Sequence, residues 1–256
     1  MNEHSREAWM HMKRFCLRGV IALGLWGVAV QAAAECSASV YSGAEVLYEV
    51  CKDWPAYPGT RITGQARLEH PQQALPPEEP GRYELQLALV SSSDGSVQAS
   101  YSLPGAILSD TSTFRGLGID TARYRLSEQV RAFGIRSFFN GTSRANPDGE
   151  TWLSLYVREG KTLRPVLEKL VVESSSGEWD TRCNGHFSDS KSTVAVAQTR
   201  SQGYADLIVT TVTTDSEALE QGDDCTTASS HTRTASTTLR YDGQRYRVPP
   251  GLKAWR

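Results

Sequence analysis

The sequence predicts an all-β protein, an antiparallel meander with a sandwich- or barrel-like arrangement and a short, disulfide-stapled N-terminal part. Apolar and polar residues alternate over many short segments, and turn-forming residues separate these segments at intervals of about 8–12 residues. No window sustains the apolar stripe of an amphipathic helix. The 256 residues carry a net charge of -2 with 22% charged side chains, a balance that gives no electrostatic reason to bind nucleic acid.

The first 34 residues have the organisation of a signal peptide. A basic stretch ends at Arg18, an apolar run covers residues 19–30, and three alanines at 32–34 form a small-residue cleavage site. The apolar run is shorter than the roughly 20 residues that a membrane-spanning helix needs. We therefore expect cleavage after residue 34 and a periplasmic mature form without a membrane span. Met12 is an alternative start for this peptide.

Four cysteines remain after such cleavage: Cys36, Cys51, Cys183 and Cys225. An even number in an exported chain predicts two disulfides, for which three connectivities exist. Proximity in the sequence favours Cys36–Cys51 and Cys183–Cys225. The spacings match no zinc pattern, and no nucleotide-binding motif is present. We expect no cofactor.

Residues 35–80 are predicted to be an irregular segment stapled by Cys36–Cys51. Proline and glycine are frequent after residue 52, and the PPEEP run at 76–80 cannot lie inside a helix or a central strand. Residues 81–256 are predicted to be the main β-domain.

The main domain opens with period-two alternation at residues 83–89 and 97–103, which predicts a hairpin around Asp94-Gly95. Residues 152–157 are apolar on both faces and predict a central strand. Further strands are predicted at residues 119–126, 130–138, 162–167, 170–173, 193–197 and 207–212.

Turns and the core complete the prediction. Residues 174–177 are expected to turn, and the acidic residues 215–224 are expected to form a solvated loop. Asp242-Gly243 predicts a tight two-residue hairpin turn. The predicted core consists of Leu85, Leu87, Leu89, Phe133, Ile135, Leu153, Leu155, Val157, Val166, Leu207, Val209, Leu239 and Tyr246.

One catalytic arrangement can be drawn from the sequence. His186 follows Cys183 closely and could act as a general base oriented by Asp180 or Asp189, as in a hydrolase. The competing interpretation is an exposed loop histidine, which we favour because no nucleophile motif accompanies it.

Arginines concentrate between residues 115 and 144. If they alternate along strands, Arg123, Arg125 and Arg136 would face solvent together and could bind an anionic partner surface. A charged, solvated sheet face is the competing interpretation.

Three segments resemble exported, functionally uncharacterised proteins of Gram-negative bacteria: IDTA at 119–122, VRAFGIR at 130–136 and LRYDG at 239–243. The resemblance implies a periplasmic β-rich fold and carries no active residue. Because catalytic motifs are lacking, we expect a non-catalytic protein that binds a protein partner in the periplasm. Inhibition of, or protection against, an envelope-acting enzyme would fit such a protein. The alternative is a periplasmic hydrolase that uses His186.

Overall fold

Eleven β-strands form one sheet in the computed structural model, which describes residues 47–69, 81–222 and 224–254. The predicted all-β fold class is confirmed. Within the described residues, the helical content is one 3₁₀ turn, Pro250–Leu252, and no helix is long and apolar enough to cross a bilayer. The strands are β1 (Leu47–Asp53), β2 (Thr60–Leu68), β3 (Gly81–Ser91), β4 (Val97–Ser109), β5 (Ser112–Asp120), β6 (Phe133–Gly141), β7 (Asp148–Glu159), β8 (Thr162–Trp179), β9 (Gly185–Ser201), β10 (Tyr204–Gln221) and β11 (Asp224–Leu239).

The sheet follows the order β1-β2-β3-β4-β8-β7-β6-β5. All neighbours in this path are antiparallel except β4 and β8, which meet in one parallel contact between Ser100 and Thr162. A second path leaves β8 at its C-terminal half, where Glu173–Trp179 pairs with β9. Strand β10 pairs with β9, and β11 pairs with β10. The sheet therefore branches along β8.

The first core is rich in aromatic rings and lies among β1 to β8. The rings of Tyr48 and Phe114 meet edge to face at 4.9 Å, and the Tyr48 hydroxyl donates to the Phe114 carbonyl oxygen. This contact brings β1 and β5, the two ends of the first path, against each other. No hydrogen-bonded ladder joins them within the described residues, so the sheet is curved but not closed.

The second core lies on the other face of β7 and β8. Leu153, Leu155 and Val157 point into it from β7, while Trp152 and Tyr156 of the same strand point into the first core. Strand β7 is thus buried on both faces, as its apolar run at 152–157, interrupted by Ser154 alone, predicts. All the residues of the predicted core are buried, so that prediction is confirmed.

Several predicted boundaries are wrong. Within the segment predicted to be irregular, residues 47–53 and 60–68 form β1 and β2, whose alternating side chains pack on the first core. The strand predicted at 119–126 ends at Asp120. Residues 121–132 form a loop that inserts Tyr124 and Leu126 into the second core. Residues 1–46, with the predicted signal peptide and Cys36, lie outside the described residues.

Two predicted turns are also placed differently. Residues 174–177 do not turn but continue β8, because their backbone pairs with β7 and β9 on both sides. Near the C-terminus, Tyr241 pairs with Tyr246 in an isolated bridge, so the turn is centred on Gly243 and Gln244. The Asp242 carboxylate fixes this register by accepting hydrogen bonds from the backbone N–H groups of Gln244 and Arg245.

Candidate functional site

The second path of the sheet extends beyond the cores. Strands β9, β10 and β11 contain 17, 18 and 16 residues, so each spans about 55 Å at roughly 3.3 Å per residue. Only one end of each strand covers the second core, through Val194, Leu207 and Leu239. We call the remainder the distal sheet; it consists of residues 173–179, 185–193, 210–221 and 224–236. Its described residues include no buried hydrophobic side chain.

Hydroxyl groups take the place of apolar contacts in the distal sheet. Ser190 and Ser192 of β9 pair through their hydroxyls with Thr213 and Thr211 of β10, at 2.8 and 2.7 Å. The opposite face carries the pairs Thr210–Ser236 and Thr214–Thr232, at 3.0 and 3.1 Å. Each such cross-strand pair contributes about 0.2–1 kcal/mol. Backbone pairing and these hydroxyl pairs therefore hold the distal sheet together.

A disulfide ties the two turns at the tip of the distal sheet. Cys183, between β8 and β9, is bonded to Cys225, at the start of β11, with a Cα–Cα distance of 5.1 Å. The predicted pairing of these two cysteines is confirmed. Cys51 is also disulfide-bonded, and its predicted partner Cys36 lies outside the described residues.

The outer edge of β11 is long and exposed. Residues 227–236 are all exposed on this strand, and within the described residues no other strand pairs with its outer edge. Asp224, His231 and Arg233 are the ionisable side chains of β11. Arg233 forms an ion pair with Asp215, whose pKa is lowered first by the Ser188 hydroxyl at 2.7 Å and then by Arg233. The edge is therefore nearly neutral.

The outer face of the distal sheet, opposite the second core, forms part of an open groove of about 690 Å³ that crosses β6 to β10. Phe138 and Val212 expose about two fifths of their surface in it. Thr151 donates to Glu173, and Lys191 forms an ion pair with Glu173 at 3.4 Å. The groove therefore offers hydroxyls and two exposed apolar side chains, with its lysine already paired.

The three residues of the hydrolase hypothesis lie on β9 and in the turn before it. His186 lies on β9 between Glu178 of β8 and Glu217 of β10. Asp189 lies on the opposite face, because side chains alternate along a strand. Asp180 accepts hydrogen bonds from the backbone N–H groups of Arg182, Cys183 and Asn184, which lower its pKa and hold it in the turn. Neither aspartate hydrogen-bonds His186 within the described residues.

The three predicted binding arginines do not share a strand face. Arg123 and Arg125 are exposed in the loop after β5, where Arg125 donates to the carbonyl oxygens of Ser127 and Glu128. Arg136 lies on β6 and forms an ion pair with Asp120. Arg123 and Arg125 do alternate with buried Tyr124 and Leu126, as predicted, but in a loop, because β5 ends at Asp120. Their role in binding stays a prediction.

The distal sheet was not predicted as a unit from the sequence. The available signal was the density of serine and threonine between residues 188 and 238, which suits strands but carries no apolar alternation. The acidic residues 215–221 belong to β10 and not to a solvated loop, since each pairs with β11. Without an apolar face, nothing in this region marks where a strand begins or ends.

Comparison of the chain with protein-family models, curated proteins and solved structures finds no match. The resemblance to exported proteins of Gram-negative bacteria therefore stays a prediction, and functional inference depends on the chain's own geometry.

Proposed function

We propose that this chain is an exported, periplasmic protein that performs no chemistry and binds a partner protein through the outer edge of β11. The signal-peptide pattern of residues 1–34 and the Cys183–Cys225 disulfide support export, because disulfides persist in oxidising compartments. The observation that carries the proposal is the run of ten exposed edge residues, 227–236.

An open edge strand presents unpaired backbone N–H and C=O groups, which pair readily with another strand. Proteins usually protect such edges with lysines, prolines, inward-pointing charges or very short strands. Strand β11 has 16 residues and contains no lysine and no proline. The pairing of β11 with β10 shifts register at Ala228 and is regular over residues 229–236. This regular edge without lysine or proline is consistent with its use for pairing.

The chemistry of this edge selects an extended polypeptide as the occupant. Backbone donors and acceptors at strand spacing match another strand, as in β-strand addition, and specificity then comes from alternate side chains. The short serine and threonine side chains of β11 leave room for the side chains of an added strand. Because Arg233 is paired with Asp215, the edge has little net charge with which to select a polyanion.

Lysine substitution tests this proposal. In one variant, Ser230→Lys and Thr234→Lys place two charges on the edge strand. In the control, Val212→Lys and Ser216→Lys place two charges on the same face of β10, directly opposite Thr234 and Ser230, and β10 pairs with β9 on one side and β11 on the other. Each protein is used for affinity capture from periplasm, and amide hydrogen exchange is measured on the recovered complex.

We expect one stoichiometric partner to be captured by the wild type and the control but not by the edge variant, with amides of β11 protected in the complex. A partner that the edge variant still captures would contradict the assignment to β11. Self-association that only the edge variant abolishes would identify a second copy as the occupant instead. Turnover in a hydrolase screen that His186→Ala removes would contradict the non-catalytic proposal.

A further inference from the structure

A small, partly enclosed cavity of about 180 Å³ lies at one end of the first core, away from every residue of β11. Trp54 and Tyr57, in the connection between β1 and β2, form one side of it together with Leu89 of β3. Gln129 and Arg131 border it from the loop before β6, and Arg158 borders it from β7. Four separate segments of the chain therefore converge on this cavity.

Two residues that line this cavity each carry a buried donor without an acceptor in the described residues. Trp54 is 3% exposed, and its indole Nε1 makes no hydrogen bond within the described residues. The Nε of Arg131 is likewise buried without a partner. Leaving a buried donor unsatisfied costs about 1–3 kcal/mol, and native proteins rarely tolerate it. Because an indole and a guanidinium only donate, the missing partner is an acceptor.

The charge at the cavity favours an anion. Arg131 and Arg158 form no ion pair with a described carboxylate, and no carboxylate side chain lines the cavity. Arg158 donates instead to the neutral oxygens of Gly160 and Gln98, at 2.9 and 3.1 Å. Two positive charges without a nearby negative charge would attract a negatively charged ligand group.

The volume of the cavity and its lining side chains limit the size and the polarity of the ligand. A volume of about 180 Å³ is below the roughly 300–1,000 Å³ of pockets for drug-sized molecules. The Trp54 ring packs edge to face with Tyr57 at 4.6 Å and with Phe133 at 5.3 Å, so its position is held from two sides. The cavity is thus small and partly apolar, with a firmly packed aromatic wall.

We infer that this cavity binds a small organic acid, with its carboxylate paired with the Arg131 guanidinium and its apolar body lying against Trp54, Tyr57 and Leu89. Small side-chain shifts at Trp54 and Arg131 on binding would give the buried Nε1 and Nε donors the carboxylate as their acceptor. This site is independent of the proposed edge of β11, since none of its residues belongs to β8 through β11.

Titration with benzoate tests the site. The purified chain is labelled with ¹⁵N at its tryptophan indoles, and the Trp54 signal is assigned by its loss in Trp54→Phe. Benzamide, of similar shape but without charge, is the neutral control, and inorganic phosphate tests for binding of any anion. We expect benzoate to shift the Trp54 indole signal saturably, benzamide to bind at least about tenfold more weakly, and phosphate to leave the signal unmoved.

Substitutions at Arg131 test its contribution to benzoate binding. Arg131→Gln is expected to weaken benzoate binding at least about tenfold, and Arg131→Lys, which keeps the charge but loses Nε, to be intermediate. Arg200→Gln, on the exposed surface of β9, is the matched control and is expected to bind as the wild type does. Equal binding of benzoate and benzamide, a phosphate-induced shift, or no benzoate shift at about 10 mM would each overturn the inference. If Arg131→Gln fails to fold, the comparison of ligands in the wild type decides alone.

Discussion

The Arg136 guanidinium donates two hydrogen bonds to a single oxygen of Asp120: Nε and one terminal nitrogen lie 3.1 and 2.8 Å from Oδ2. Burial alone would raise the pKa of Asp120, but the backbone N–H of Ala122 and the Arg136 side chain outweigh burial and lower it. The Asp120 side chain is only 12% exposed. Arg136 therefore serves as the counter-ion of a mostly buried carboxylate where β5 ends.

Replacing Arg136 is expected to destabilise the fold. Arg136→Gln leaves the Asp120 carboxylate without its charged partner, and we expect a loss of about 1–3 kcal/mol in the free energy of unfolding. Urea denaturation measures the change. Arg123→Gln, in the exposed loop next to this pair, is the control and should lie within about 0.5 kcal/mol of the wild type. Equal stability of the two variants would show that the ion pair contributes nothing.

Loss of the Cys183–Cys225 disulfide is expected to act locally. The chain-entropy model gives about 4 kcal/mol for a loop of this length, but it assumes that the closed loop unfolds with the rest of the protein. Because the distal sheet buries no apolar side chain in its described part, replacing both cysteines by serine should open the tip first. Amide exchange should accelerate at residues 180–190 and 215–228 while β7 stays protected. Uniform acceleration, including β7, would contradict this expectation.

The turn between β9 and β10 contains a strained residue. Gln202 has a φ of 49° and precedes Gly203 at 91°, a left-handed region that costs a residue with a Cβ about 1–2 kcal/mol. Gln202→Gly should therefore stabilise the protein by about 0.5–1 kcal/mol in chemical denaturation. The same change at Gln198, within β9, should destabilise it by about as much. A destabilised Gln202→Gly variant would contradict the prediction.

The turn at Asp242 is expected to depend on acid pH. Hydrogen bonds from the backbone N–H groups of Arg245 and Gln244, with the nearby Arg247, lower the pKa of Asp242 to about 2. A carboxyl whose pKa is lower in the folded state stabilises that state above its unfolded pKa of about 3.9, and the stabilisation is lost as pH falls toward 2. Unfolding midpoints between pH 5 and 2 should fall less steeply in Asp242→Asn than in the wild type. Parallel curves would show that Asp242 does not contribute.

The sequence predicts the two cores better than the distal sheet. Leu85, Leu87 and Leu89 alternate with polar residues, and this pattern alone places them in a core. No such pattern exists in residues 185–193 or 224–236, which are held by backbone pairing and hydroxyl contacts. Gly177 resembles a turn residue in the sequence. In the structure a Cβ there would lie 2.6 Å from the Phe187 ring, so its small size serves a close approach between strands.

The candidate sites were predicted less completely, for a similar reason. Cysteine spacing is local enough to predict Cys183–Cys225, which the structure confirms. The cavity beside Trp54 combines residues from four separate segments, and no local pattern predicts such a convergence. The open edge of β11 depends on which strand is last in the sheet, a property of topology that strand patterns do not contain.

The single parallel contact between Ser100 and Thr162 has a kinetic consequence. Strand β4 cannot pair with β8 until the intervening chain, which forms β5, β6 and β7, has folded back on itself. This closes a loop of about sixty residues, whose entropic cost grows only with the logarithm of its length. Contacts between such distant residues nevertheless slow folding. During this interval the backbone of β4 is open to pairing with other chains, so misassembly at β4 should increase with the concentration of refolding protein.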